Sequence, residues 1–239
     1  HRDSFAVDFN MDTIRKRAVE MRNPDLTNED LYQKHSISDN RDWKLSKARN
    51  EIQLDNNWEN KVIKCGYRPF DNRPCYFSSV MMDYPRKELI QNVLNKENTL
   101  LGIGRQGMAV GDIEWCLTTV SKNPVDANMF RRGGVNLFPL YLYPETNSQQ
   151  NLLETHERTP NLNLEIVNQI GEQLGLYFNP EEFDGTTTVE TNQFTPLNIL
   201  DYIYAVLHSP TYREKYKEFL KIDFPRVPYP KDIKTFWQL

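Results

Sequence analysis

The chain has few of the residue types on which most enzyme sites are built. Only three cysteines occur in 239 residues, Cys65, Cys75 and Cys116, an odd number with no Cys-x-x-Cys pair and no histidine at ligand spacing. That pattern argues for reduced thiols in a cytoplasmic compartment and against a zinc site. The four histidines, His1, His35, His156 and His208, stand in unrelated contexts, so no base can be assigned to a cysteine nucleophile. No apolar run reaches the roughly 18 residues of a membrane span, and no membrane partner is expected. His1-Arg2-Asp3 opens without Met or an apolar targeting core, and the chain stops abruptly at Phe236-Trp237-Gln238-Leu239. The expectation is a segment of a longer polypeptide.

Excess positive charge is also lacking. The formal net charge is -4, which excludes a generally basic nucleic-acid binder and makes the distribution the informative quantity. Residues 1–60 carry 10 bases and 12 acids, 61–144 carry 11 and 7, and 145–239 carry 8 and 14. Between Glu145 and Pro196 the one base, Arg158, faces nine acids. A polyanion is therefore drawn to the middle of the chain and repelled from the acidic segment after it. The middle holds the stretch Thr99 to Pro144, in which apolar and β-branched runs frame Gly102-Ile103-Gly104-Arg105-Gln106-Gly107 and Arg131-Arg132-Gly133-Gly134, and which ends in Phe138-Pro139-Leu140-Tyr141-Leu142-Tyr143-Pro144. This is strand-turn-strand chemistry with positive polar groups at the turns.

Elsewhere the pattern is mixed. After an alternating Phe5 to Phe9, Asp12 is placed to cap a basic helix with Ile14, Val19 and Met21 that stops at Asn23-Pro24. Thr27 and Asp30 form a capping-box pattern, and a helix is expected from Trp43 to Ile52, its Lys44, Lys47 and Arg49 read as a solvated face. Strands are expected at Val62 to Tyr67 and Cys75 to Val80, joined by a proline-bounded turn. Tyr84-Pro85 begins a helix with Leu89, Ile90, Val93 and Leu94 inward. Leu162, Ile166, Ile170 and Leu174 define one helical face capped near Asn161 and ended by Gly175. Gly185 to Gln193 is expected as a Thr-rich loop or short strand. Thr195-Pro196 and Ser209-Pro210 each open a further helix, and Phe224 to Pro230 is an extended proline-rich arm. The expected fold is α+β: a central, mostly antiparallel sheet from about Val62 to Tyr143, flanked by N-terminal helices and a C-terminal helical pair. Without repeats or a long linker, one composite domain is expected over 1–239, made of a helical lead-in (1–60), a β-rich recognition part (61–144) and a mainly helical part (145–239).

Several candidate chemistries fail on context. The G-x-G-x-x-G at Gly102 to Gly107 follows a strand but is succeeded by another β-like run. It lacks the helix and the acidic strand end that a dinucleotide site requires. Asp112 and Glu114 have the spacing of a nuclease metal pair, yet Cys116 stands where a lysine is expected, and a solvated strand edge is the simpler reading. His208 ends an apolar helix, as a packing or C-capping histidine does. What remains is a set suited to a polyanion with bases: Arg68, Arg73, Arg105, Gln106, Lys122, Arg131, Arg132 and Asn136. Arginine pairs bidentately with guanine and Gln or Asn with adenine, while Lys holds phosphates. The competing reading for each arginine is a surface charge or a structural clamp.

Four ordered motifs then carry a resemblance: Tyr67-Arg68-Pro69-Phe70-Asp71-Asn72-Arg73; Leu101 to Gln106; Phe138 to Pro144; and Asp201 to Pro210 continuing through Phe224-Pro225-Arg226-Val227-Pro228. Together they resemble the C-terminal specificity region of Type ISP restriction-modification enzymes. The opening Arg2-Asp3 and Phe5 to Phe9 also fit the start of that region. In that family one polypeptide carries a nuclease, an ATP-driven translocase, an adenine-amino methyltransferase using S-adenosylmethionine, and last a target-recognition domain. The resemblance implies that this chain is the last piece and not itself an enzyme. No Asn-Pro-Pro-Tyr motif is present, since Asn23-Pro24, Asn123-Pro124 and Asn179-Pro180 continue with Asp, Val and Glu, and there is no Walker motif. The expected function is recognition of double-stranded DNA, positioning a flipped adenine for the methyltransferase domain of the same polypeptide. Arg105, Gln106, Arg131 and Arg132 would lie nearest the bases, and Arg68, Arg73 and Lys122 nearer phosphates. No cofactor is expected in this segment; S-adenosylmethionine, ATP and Mg belong to the parent enzyme. The other reading is a protein-interaction or scaffold module with its proline-bounded Tyr/Phe segments as contact surface.

Overall fold

Local chemistry sets most element boundaries. A computed structural model describes residues 3–78, 80–81, 87–105, 114–130, 134–144, 158–181 and 192–239. These residues gather into two units, one formed by His1–Ile90 with Asn123–Met129 and the other by Gln91–Lys122 with Phe130–Leu239. The β-rich stretch 61–144 is thus shared between two units. Its strands fall into three separate antiparallel sheets, the last shared with Thr159–Pro160, in place of the single central sheet expected, within the α+β class that the sequence indicates.

In the first unit, α1 (Asp3–Ala6) covers part of the segment read as alternating, and only Val7 bridges in β fashion, to Cys75. α2 (Met11–Arg22) is capped by Asn10, whose Oδ1 accepts from the N–H of Asp12 at 2.8 Å, so the cap lies two residues before the expected one. α3 (Asn28–His35) opens with the Thr27–Asp30 capping box. α4 (Leu45–Leu54) starts later than expected, because Trp43 is buried instead and donates its indole N–H to the Val80 carbonyl at 2.7 Å. A 3₁₀ turn, Trp58–Lys61, leads into the hairpin of β1 (Val62–Arg68) and β2 (Asp71–Tyr76). The connection is only Pro69-Phe70, much shorter than the 67–74 turn suggested by its prolines. Pro74 sits inside β2 opposite Lys64. Its carbonyl accepts from the N–H of Asp8 at 3.0 Å, on the side away from β1, so its missing N–H removes no ladder bond.

The helix α5 (Lys87–Val93) comes next; the expected start at Tyr84-Pro85 lies outside the described residues. In the second unit β3 (Leu100–Gly104), β4 (Thr118–Ser121) and β5 (Val135–Pro139) make an antiparallel sheet of order β4-β3-β5. All five residues of the central β3 are buried. β6 (Tyr141–Leu142) pairs with β7 (Thr159–Pro160), and β8 (Tyr177–Phe178) pairs in parallel with β9 (Gln193–Phe194).

α6 (Leu164–Leu174) is capped by Asn163 rather than Asn161 and ends at Gly175, with φ +68°. Its buried face is Val167, Ile170, Gly171 and Leu174, while Leu164 and Ile166 are exposed. A strict four-residue spacing drifts about 40° per step around a helix of 3.6 residues per turn, which rotates Ile166 off the stripe that the sequence pattern suggested. α7 (Pro196–His208) has the Thr195–Asn198 capping box and Pro at its start. The helix opened by Ser209-Pro210 breaks at Tyr216 into α8 (Pro210–Lys215) and α9 (Lys217–Leu220). The proline-rich arm is strapped down through its carbonyls: Tyr212 Oη donates to Arg226 at 2.9 Å, Tyr202 Oη to Pro228 at 3.1 Å and Gln173 Nε2 to Pro230 at 2.9 Å. A last helix, α10 (Ile233–Gln238), was not foreseen; it buries Phe236.

Candidate nucleic-acid interface

The β1–β2 hairpin converts alternating chemistry into a stack of rings and guanidiniums. Arg73 has its guanidinium carbon 4.1 Å from the Phe9 ring centroid and 4.5 Å from that of Tyr67, and Arg68 lies 3.9 Å from the Tyr67 centroid. Two carboxylates orient the planes. Asp71 accepts from Arg73 Nε at 3.0 and 2.9 Å and lies 2.6 Å from its Nη2, and Asp126 Oδ1 lies 3.3 Å from Arg68 Nη1. The side-chain hydrogen bond from Arg73 holds the Asp71 carboxyl below the usual carboxylate range, and the same bond pushes Arg73 up. Segment 123–129 braces the hairpin: Gly66 N–H donates to Pro124 at 2.8 Å and Asp126 N–H to Gly66 at 2.8 Å. A Cβ at Gly66 would stand 2.9 Å from Cε of Met129, the free end of a flexible side chain, so a larger residue there asks only Met129 to shift.

At the tip, Phe70 is wholly in solvent (106% relative exposure) and has φ +63°. Proline followed by a left-handed residue is the pattern of a type II turn, whose second corner normally takes Gly or Asn. A side chain there costs about 1 kcal/mol. Phe9, at the base of the stack, is also exposed (80%). The sequence offers Phe70 only among the proline-bounded Tyr/Phe segments and Phe9 only in an alternating run; the signal for Phe70 is Pro-Phe, where a turn would carry Pro-Gly or Pro-Asn.

In the second unit, Arg105 follows β3 at the Gly104 end of the sheet, exposed, with its guanidinium carbon 4.9 Å from the Phe224 centroid. Asn136 lies on β5 opposite Ile103, and its Nδ2 donates to the Ile103 carbonyl at 3.4 Å, so one amide hydrogen is used within the sheet. Exposed Lys122 follows Ser121, which pairs with Leu100. It therefore leaves the opposite end of the sheet, about 13 Å along the strand from Gly104. Arg105 and Asn136 share a sheet end, and Lys122 does not. Gln106, Arg131 and Arg132 lie outside the described residues, as does Asp112.

The first two glycines of the G-x-G-x-x-G motif are explained by packing, and the third, Gly107, lies outside the described residues. A Cβ on Gly102 would lie 2.8 Å from Thr119 Cγ2 and 2.9 Å from Val135 Cγ2, and one on Gly104 would lie 2.9 Å from Phe130 Cδ2. Cys65 and Cys75 are buried, and the hydrogen bond that the Cys75 thiol makes to Cys65, then burial, pushes the Cys75 thiol far up, which leaves it un-ionised and inert as a nucleophile. His208 stacks on Tyr204 at 4.3 Å, and its Nδ1 lies 3.0 Å from Arg213 Nη2; burial, then the Arg213 charge, lowers its pKa. Among the described residues, no three His, Cys, Asp or Glu side chains converge as a metal site, and no helix is long and apolar enough to cross a membrane.

Comparison with known proteins agrees with this architecture. The profile of the Type ISP C-terminal specificity domain matches residues 1–239. Among solved structures, the chain is similar to a cryo-EM DrdV–DNA complex, with TM-score 0.59 and 20% identity over 96% of this chain and 20% of that one. It is also similar to the ATP-dependent Type ISP restriction-modification enzyme LlaBIII bound to DNA, with TM-score 0.65 and 18% identity over 99% of this chain and 14% of that one. A nuclease-deletion mutant of the Type ISP enzyme LlaGI in complex with a DNA substrate mimic gives TM-score 0.54 and 19% identity, covering 95% of this chain and 16% of that one. The chain therefore spans a fifth or less of the length of each. No curated protein sequence matches it.

Proposed function

The chain belongs to the family of Type ISP C-terminal specificity domains, and from that premise we propose that it recognises a short, asymmetric sequence in double-stranded DNA. The observation that carries this reading is the match of a specificity-domain profile to the chain from end to end. The geometry supports it in two places. The hairpin presents arginines with planes fixed by aromatic rings, and the Gly104 end of the sheet presents Arg105 in solvent beside a backbone kept slim by glycine. Arg105, with Gln106, Arg131 and Arg132, is assigned to base edges, and Lys122 to phosphates. Arg68 and Arg73, held by carboxylates, act by shape and orientation as much as by charge. Asn136 keeps one donor in the sheet and reads with the other.

In this reading the chain supplies recognition and not catalysis, and it positions an adenine for a methyltransferase domain of the same polypeptide. S-adenosylmethionine, ATP and Mg²⁺ are then bound by other parts of that polypeptide. The protein acts in the cytoplasm, where the DNA is. The test is selection of duplexes from a random pool by the 239-residue chain, followed by salt titration of the recovered sequence. Enrichment of one asymmetric sequence, with affinity falling steeply as salt rises, is expected for a binder that neutralises several phosphates. No enrichment, or salt-independent retention, overturns the reading in favour of a protein-interaction module.

A further inference from the structure

We propose that the Pro69-Phe70 tip of the β1–β2 hairpin is a wedge that enters a base step of the duplex, an inference that rests on the DNA-recognition reading above. Three independent observations converge on these two residues. Phe70 exposes its entire ring to solvent. It also holds a left-handed backbone conformation, at a corner where Gly or Asn would relieve the strain and remove the exposed ring at once. The tip, third, is mounted on a rigid base. Phe9, Arg73, Tyr67 and Arg68 alternate ring and guanidinium, Asp71 and Asp126 fix the guanidiniums, and segment 123–129 pairs with the hairpin backbone.

Phenylalanine and proline are among the side chains that proteins insert between base steps, and insertion opposes base stacking. A side chain that had first to be ordered would spend much of its contact energy on its own entropy. A pre-set, two-residue turn on a braced hairpin avoids that loss. Protein docking suits the tip less well, because stable protein contacts need contiguous apolar area. Here one ring and one pyrrolidine stand between charged Arg68 and Asp71, with exposed Asn72 and Lys64 on the same hairpin. The convex shape and flanking cations suit insertion into a polyanionic stack.

The experiment uses the 239-residue chain and the duplex recovered by random-pool selection, with 2-aminopurine replacing each adenine in turn. Wild type should raise 2-aminopurine fluorescence at one step, reporting local unstacking. Phe70→Asn should abolish that rise and weaken binding about tenfold, the size of one base–aromatic stack. Its thermal midpoint should be equal or higher, because Asn accepts the left-handed corner. Phe70→Trp should retain the rise. A Phe70→Asn chain that binds and unstacks like wild type overturns the wedge, leaves DNA recognition standing and assigns the tip to a protein contact. A wild-type chain that selects no duplex overturns both.

Discussion

A methyl group on Gly102 would stand 2.8 Å from Cγ2 of Thr119, its neighbour across the β3–β4 pair. Val135 Cγ2 closes the other side at 2.9 Å, and both methyls belong to β-branched side chains with little freedom at χ1. Gly102→Ala should therefore destabilise the second unit by about 1–3 kcal/mol through overpacking, read as a lower urea midpoint. If the glycine served a dinucleotide instead, the variant would fold normally and the wild type would be stabilised by added NAD; neither is expected.

Glu20 predicts how stability depends on pH. Its carboxylate is nearly buried, with Lys34 Nζ 2.9 Å from Oε1 and His35 Nε2 2.8 Å from Oε2. Burial raises the Glu20 pKa, but the hydrogen bonds from Lys34 and His35 outweigh it, and the group ends below its ordinary value of 4.5. His35 is driven below 6.5, first by burial, with the bond to Glu20 opposing. Both shifts have one sign: the unfolded chain binds more protons than the folded one. The His35 contribution is present above pH 6.5 and is lost as pH falls toward its folded pKa, and the Glu20 contribution is lost in turn as pH falls below 4.5. Denaturant midpoints measured from pH 8 to 4 should stay level until pH approaches 6.5 and fall from there. Glu20→Gln should flatten the low-pH limb and cost about 1.5–3 kcal/mol at pH 7, the usual contribution of hydrogen bonds to a charged group.

Arg49 shows that a basic helix need not face a ligand. Its guanidinium donates to the carbonyls of Asn23 and Leu26, each at 2.7 Å, to that of Met21 at 3.3 Å and to Asn28 Oδ1 at 2.8 Å. The fan closes the C-terminal end of α2 and the turn into α3. Arg49→Ala should destabilise the first unit by at least about 2 kcal/mol. Arg49→Lys should recover little, because an ammonium lacks the planar fork. Circular dichroism melts check both, and the DNA affinity of the folded fraction should be unchanged.

Caps signalled by two residues together were legible in the sequence, because both partners lie within three residues of each other, whereas the lone candidates Asp12 and Asn161 gave way to Asn10 and Asn163. Thr27 with Asp30, Thr195 with Pro196 and Ser209 with Pro210 all open helices where expected. The extent of β2 was not legible, since Pro74 is tolerated only because its carbonyl side faces Asp8, 66 residues earlier. The division of the candidate site was equally hidden. Lys122 and Arg105 lie in one basic stretch of sequence, but the antiparallel pairing of β4 with β3 sends them to opposite ends of the sheet. Solvation alone could not distinguish Arg49, a buried-carbonyl clamp, from Arg105, a solvent-facing cation; the partners that decide it are distant in sequence.

Arg105 is where recognition and stability separate most clearly. It is exposed at the end of β3, and among the described residues its ring contact, at 4.9 Å from Phe224, is with the proline-rich arm. Arg105→Ala should therefore leave the unfolding midpoint within about 0.5 kcal/mol of wild type, as surface substitutions generally do. Its effect on DNA identifies its role. If it reads a base, affinity for the selected duplex should fall by about 1–3 kcal/mol and preference at one base pair should relax. If it contacts a phosphate, all duplexes should weaken alike and the slope of log affinity against log salt should shrink by about 1. Base reading is the expected outcome, because the residue leaves the sheet between a glycine-slimmed strand and Gln106, a pairing suited to adjacent guanine and adenine edges. The measurement is a salt titration of Arg105→Ala, and of the Arg105→Ala/Gln106→Ala double variant, against the selected duplex and its single-base substitutions.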